Sequence, residues 1–454
     1  MTITTRLAEF FCELEYEKMP KDVVEKAKEN LIDNLAGAIP AVHVEDVKGI
    51  TDELKKYDKQ EDCVLWGTNQ RASVQNAALI NGIAAHALEM DDFHPQGKIH
   101  MGTVVIPAAI TLGEKRKISG KKLITALTAG YETGIRIAIG AGTASHRLHG
   151  WHATSSCGIF GAAISSAKIL GLSVNQTVSA LGLAGTQASG LWAFLKDGAN
   201  NKKLHGGHPA SAGITSAILA KGGMTGPSYI LEAEDGGFYR ATSDEYNFAS
   251  VTEGLGEKYN VLRVGRKPYA CCRSMHLSIE GALELVKEHK LNAEDIEKID
   301  VYTYEIGVKQ CGIYPKPQNV FEAKFSIPYG IAVAFLDGGA GVAQFTEQRI
   351  KDPAIMNLCS KIDVHVSDEY TKHYPANWGC EMRVRTKDGR QLTKVVWNGR
   401  GGPENPMTRE ELSSKFRCLA GEVLSDKRMD EIISTIYNLE QVKDISELTA
   451  LLVP

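Results

Sequence analysis

Apolar residues in the first 260 positions recur at intervals of three and four, the period of a helix that buries one face. Over 20–39, Val23, Val24, Ala27, Leu31, Leu35 and Ile39 share a face with lysines opposite. The stretches 76–88, 102–118, 121–139, 158–172, 174–194 and 210–220 predict further helices, unusually rich in alanine and glycine. Small residues around a helix allow neighbouring helices to approach closely. This half therefore predicts a packed all-helical domain buried on several sides. A membrane bundle would share that composition, but Lys122, Glu132, Arg136 and Lys168 interrupt the apolar stretches, and none stays apolar long enough to span a bilayer.

The period changes near residue 260. Positions 299–306 alternate and are rich in Val and Tyr, as does 362–366, and both predict strands. The stretches 381–386 and 391–397 flank Lys387, Asp388, Gly389 and Arg390, a hairpin signal because Asp-Gly suits the positive φ angles of a tight turn. Helices are expected at 277–288 and 328–335. After Pro403 the helical period returns, with Thr408 and Glu411 spaced as a capping box before a helix over 409–424 and another over 426–439. The expected fold is mainly α: a large all-helical domain built from both chain ends (1–264 and 404–454), with a smaller α+β lid inserted at 265–403.

A length of 454 residues agrees with more than one domain, and the composition, 43% hydrophobic and 23% charged, is that of a globular protein. A net charge of -4 gives no reason to expect nucleic acid or a membrane surface as partner. Any anionic substrate would then be attracted by local cations. The first twenty residues lack a basic start and an apolar core and carry Glu9, Glu13, Glu15 and Glu17, unlike a signal peptide. Nine cysteines without metal-finger spacing fit a reducing compartment, and a cytoplasmic location is expected.

Candidate chemistry gathers in four places. Glu89, Asp91, Asp92, His94 and His100 lie within twelve residues between an alanine-rich helix and an apolar one. A polar loop with helix-capping acids would use the same residues, and their spacing matches no standard metal-ligand pattern. His146, His149 and His152 precede Ala-Thr-Ser-Ser and an apolar helix, where a histidine at the helix start could exchange a proton with a bound anion; a histidine-rich surface loop is the plainer reading. Lys202, Lys203, His205 and His208 stand beside glycines ahead of another helix, either as an anion-binding entrance or as solvated lysines in a turn. Lys267 and Arg273 flank the adjacent Cys271 and Cys272; the two cations can hold carboxylates, whereas the cysteines read as buried small residues. No phosphate loop, dinucleotide fingerprint or Gly-x-Ser-x-Gly elbow is present.

The segments AALINGIAAHALEMDDFHPQGKIHMGT, WHATSSCGIFGAAISSAKILGLS, ASGLWAFLKDGANNKKLHGGHPASAG, GRKPYACCRSMHLSIEGA and AKFSIPYGIAVAFLDG, in this order, resemble the MmgE/PrpD family of 2-methylcitrate dehydratases, cis-aconitate decarboxylase and iminodisuccinate epimerase. The resemblance implies a helical domain with an α+β lid, a homodimer, and an active site between the domains that needs no metal or organic cofactor. It implies catalytic roles for Asp91, His100, His152, Lys202 and Lys267, and substrate contacts from Glu89, Asp92, Arg273 and Tyr314. The family's dehydratase and decarboxylase members usually carry Asp at the position of Glu89 and Thr at that of Phe93. The chemistry expected is proton abstraction beside a carboxylate of a small polycarboxylate, with Lys202, Lys267 and Arg273 holding the carboxylates and one of His100 and His152 as base. The leading expectation is a 2-methylcitrate dehydratase-like hydro-lyase. Epimerisation of an iminodisuccinate-like acid, cis-aconitate decarboxylation, and a non-catalytic carboxylate-binding relative are the alternatives.

Overall fold

The structure, a computed structural model, describes all 454 residues. The molecule is mainly helical, and the helical period translates into burial as expected. The helix Lys21–Ala41 buries Val23, Val24, Ala27, Leu31, Leu35 and Ile39 on one face. The small-residue helices interlock: a Cβ on Gly82 of Val74–Ala87 would stand 2.7 Å from the Cα of Gly207 in Leu204–Lys221. Such contact between backbones requires glycine on both sides. It sets these two helices side by side, with the end of the first beside the start of the second.

The expected helix over 174–194 is shorter, ending at Gly185. Beyond it Gly190 adopts φ +105° and packs against Ser155, where a Cβ would meet the Ser155 side chain at 2.5 Å. The chain turns there, Leu191 bridges to Trp151, and a short turn of 3-10 helix, Trp192–Leu195, drops Trp192 and Phe194 into the interior. The apolar run read as one helix thus serves two elements.

The chain between 296 and 397 carries a four-stranded sheet in the order Ile362–Val366, Ile296–Thr303, Gly379–Thr386, Gln391–Trp397. The first pair is parallel and the other two antiparallel. The strand expected at 299–306 begins earlier and ends at Thr303. A register shift between Ile296 and Lys298 interrupts the two-residue alternation, which hides the start from a periodicity reading. The helix His276–His289 covers the sheet and packs on Ile327–Asp337.

The chain then returns: Arg409–Ala420, opened by the Thr408–Glu411 capping box, and Asp426–Tyr437 pack on Lys21–Ala41. One hydrophobic core accordingly combines side chains from Leu7 to Val264 with others from Leu412 to Leu452. A second lies mainly between Ala270 and Val396 and takes in Ile83, Leu88, Met90, Trp192 and Phe194 from the helical part. No helix is long and apolar enough to cross a membrane.

Candidate active site

Two local devices bring charged groups together. The Gly82–Gly207 contact places the end of Val74–Ala87, with His86, beside Lys202 and His205 at the start of the facing helix. Immediately after that end, Glu89 takes φ 58°, a left-handed conformation costly for a residue with a Cβ. The turn swings its carboxylate inward. The second device is a two-residue antiparallel ladder pairing Asp92 with Arg266 and Phe93 with Gly265. Because side chains alternate along a strand, Asp91 and Lys267 fall on one side of the ladder and Asp92 and Arg266 on the other.

On the first side a buried ionic network forms. Lys202 and Lys267 both donate to Glu89, Lys267 at 3.0 Å, and Lys267 also reaches Asp91 at 3.2 Å. Asp91 accepts in addition from Nδ1 of His86 at 3.2 Å, and Nδ1 of His100 stands 2.8 Å from it while hydrogen-bonding the backbone carbonyl of Asp92 at 2.7 Å. Lys202 donates to Nε2 of His86 at 3.2 Å. With Nδ1 of His100 committed to the Asp92 carbonyl and the Asp91 carboxylate, its Nε2 is the nitrogen free to exchange a proton. His152 shares a 2.8 Å contact between its Nδ1 and that of His205, and its ring centroid lies 6.4 Å from that of His100.

Burial opposes charge throughout this network, and partners decide where it survives. Although burial works against them, the two lysines hold Glu89 below the usual carboxylate range, and Lys267 with His100 and His86 does the same for Asp91. Burial likewise opposes the charge on Lys267, but Asp91 and Glu89 together keep it above the ordinary lysine range. His86, His205 and His152 lack enough negative charge nearby. Burial and Lys202 hold His86 at about 4, burial and His86 hold His205 at about 3, and burial with His205 pushes His152 well below its usual value.

The network opens onto a nearly closed cavity with about 30 Å³ of water-accessible space, walled by Phe93, Trp192 and Trp378 and edged by Glu89, Lys98, His100, His152, Lys202, Cys272, Arg273 and Gln310. An outer pocket of about 760 Å³ shares Glu89 and Lys202 with it, so the Lys202–Glu89 pair stands between the two spaces. No three His, Cys, Asp or Glu side chains converge as a metal donor set.

Of the residues singled out from sequence, Glu89, Asp91, His100, His152, Lys202 and Lys267 meet in this network or at its cavity. Arg273 edges the cavity, stacked 4.4 Å over Phe93, but its guanidinium donates to the carbonyls of Gly399 and Arg400 at 2.9 Å and contacts His276 at 3.0 Å. Asp92 was expected to touch substrate and instead faces away, as the ladder alternation requires. It accepts from Tyr131 at 2.5 Å and from the backbone N–H of Gly102 at 3.0 Å, and burial raises it to about 7. Tyr314 also departs from expectation: its hydroxyl donates to the carbonyl of Leu195, and it does not line the cavity. His86, Lys98, Trp192, Gln310 and Cys272 reach the site without having been singled out for it. His86, three residues before Glu89 in the last helical turn, carried the one readable signal.

Comparison with known proteins adds to this geometry. Residues 5–250 match the model of the MmgE/PrpD N-terminal domain and residues 269–440 that of the MmgE/PrpD C-terminal domain. A cis-aconitate decarboxylase of Aspergillus terreus is 27% identical over 470 residues, 99% of this chain and 96% of that protein. The cis-aconitate decarboxylase of Homo sapiens is 29% identical over 444 residues, 95% of this chain and 90% of that protein. A mitochondrial 2-methylcitrate dehydratase of Yarrowia lipolytica is 25% identical over 243 residues, 51% of this chain and 46% of that protein.

Proposed function

Because the chain belongs to the MmgE/PrpD family and is an enzyme of its lyase class, we propose that it is a carboxy-lyase acting on cis-aconitate or a closely similar unsaturated tricarboxylate. The observation that carries this reading is the pair His100 and His152, centroids 6.4 Å apart, at a cavity walled by three aromatic side chains. The likeness to cis-aconitate decarboxylases over nearly the full chain supports it, and for this reason decarboxylation displaces dehydration as the leading reading.

In the proposed reaction the carboxylate on the saturated carbon leaves as carbon dioxide. The electron pair of the broken bond moves into a new double bond to the central carbon, the pair of the old double bond moves to its outer carbon, and that carbon takes a proton. Nε2 of His100 delivers that proton while the Asp92 carbonyl and the Asp91 carboxylate hold the ring at Nδ1. His152, kept neutral by burial, lies on the other side as hydrogen-bond partner to a carboxylate. Aromatic walls and the small cavity exclude water from the departing carboxylate, and fixed charges replace it around the developing carbanion. Entry requires the cavity to widen, and the outer pocket beyond Lys202 and Glu89 is the route.

Dehydration of a 2-methylcitrate-like acid is the second reading, favoured by the half-length likeness to 2-methylcitrate dehydratases. It needs a donor for the departing hydroxyl, and Phe93 supplies none on its wall. Proton NMR in deuterated water separates the two. cis-Aconitate giving itaconate, with its terminal methylene signals, supports the decarboxylase; collapse of the 2-methylcitrate methyl doublet to the singlet of a methyl on a double bond, with cis-aconitate unchanged, would replace it with the dehydratase.

A further inference from the structure

Lys202 and Lys267 carry two positive charges, but Glu89 and Asp91 already balance them. They offer an incoming polyanion no net attraction. The cations without a carboxylate partner lie elsewhere around the cavity; Arg273 is one, but its guanidinium is taken up by the carbonyls of Gly399 and Arg400. Lys98 edges the cavity, and its ammonium makes one hydrogen bond, to the Gln310 amide oxygen at 2.6 Å, and no salt bridge. Arg147 lines an adjoining void with Lys98, His152 and Trp192. Its guanidinium stacks 4.3 Å over Trp192, and its buried Nε has no hydrogen-bond partner. Gln310, fully buried, likewise leaves its Nε2 without an acceptor.

Three donors facing two adjacent voids that share Lys98, His152 and Trp192 as walls, none answered by an anion, are an exception to the rule that buried polar groups are paired. The backbone adds to the case. Lys98 sits at φ 47°, a conformation that glycine adopts more easily, and a lysine is held there nonetheless. We propose that Lys98, Arg147 and Gln310 form an anion subsite that binds a third carboxylate of the substrate, making the enzyme selective for tricarboxylates over dicarboxylates. The subsite rests on the lyase reading for its substrate class, and the charge accounting explains why a third carboxylate helps: it meets the cations that the protein leaves uncompensated. Burial, reinforced by Arg147, holds Lys98 at about 7; a bound carboxylate would restore its charge.

Calorimetric binding of propane-1,2,3-tricarboxylate, which cannot react, against glutarate tests this in the wild type and in Lys98→Met and Arg147→Met. The wild type is expected to prefer the tricarboxylate by about tenfold or more, the scale of one charge-assisted hydrogen bond. Each variant should reduce that preference to within about threefold while binding glutarate nearly as before, and Lys98→Arg should restore most of it. Circular dichroism melts check folding; should Lys98→Met fail to fold, the half-buried Arg147 position supplies the reading. A variant that keeps the full preference, or a wild type without one, overturns the subsite. Turnover of cis-aconitate is followed in the same samples. Selective binding without turnover would sink the carboxy-lyase reading and leave the subsite standing.

Discussion

Glu132 and Arg136 on the helix Gly120–Gly140 form a buried ion pair at 2.9 Å, as do Glu89 and its two lysines, yet the surroundings of the two groups differ. Around the first, the protein answers every charge. Glu132 accepts from the backbone N–H of Val261 at 2.7 Å, and Arg136 donates to the carbonyls of Glu253 and Lys258 at 2.8 and 2.6 Å. This pair ties a loop to a helix and lies away from the cavities around Glu89. Around the second, titratable rings take the place of backbone carbonyls, and the group borders empty space. A buried charge closed by backbone groups holds structure; one bordered by histidines and a cavity can move protons.

The comparison yields opposite expectations for paired substitutions. His100→Asn should lower kcat by about 100- to 10,000-fold, the usual worth of a general acid–base group, while a thermal melt changes little. Arg136→Met should do the reverse: leaving Glu132 buried and uncompensated costs about 3–5 kcal/mol in denaturant unfolding, with kcat of the folded fraction nearly unchanged. If His100→Asn destabilised and Arg136→Met silenced turnover, the distinction between the groups would be wrong.

A pH titration of stability sharpens the contrast further. His86, His146 and His205 are held at about 4, 4 and 3 by burial, below the ordinary 6.5. Such rings take up protons only on unfolding, so the unfolded state binds more protons and stability falls as pH drops from about 6.5 towards 4. The slope is about 1.4 kcal/mol per pH unit for each histidine. Asp92, raised to about 7, binds its proton in the folded state and works the other way, gaining stability as pH falls through 7. Urea midpoints from pH 7 to 4.5 should therefore decline, and His86→Asn should flatten that decline by about one histidine's share. A decline unchanged by His86→Asn would mean the ring is not held neutral by its site.

The smallest effect tests how the reactive group is assembled. Gly82→Ala places a methyl against the Gly207 backbone and should cost about 1–3 kcal/mol by overpacking. It should also reduce kcat, because the same contact sets Lys202 beside Glu89. Stability loss with full activity would show that the helix spacing has slack at the site.

Much of this was legible before any coordinates. The helix over 20–39, the hairpin closing at Gly389 and the Thr408 capping box all follow from local rules of period, turn geometry and capping. The helix over 174–194 misread the chain because an apolar run has the same composition whether it continues a helix or turns at a glycine to wall a cavity. The candidate residues were found by kind, but Asp91 and Asp92 could not be told apart as neighbours in sequence. Lys98 and Gln310 gave no signal, since a lone lysine and a lone glutamine in polar stretches are ordinary.

The sequence by itself determined the mainly helical build and the supply of histidines, carboxylates and lysines near helix ends, because both depend on neighbours a few residues apart. Only the tertiary structure decided which of those groups confront one another. The ladder of Asp92–Phe93 with Gly265–Arg266 turns Asp91 towards Lys267 and Asp92 away, and the Gly82–Gly207 contact brings Glu89 to Lys202. The physical reason is that side-chain alternation and helix contact become directions in space only when segments more than a hundred residues apart are paired.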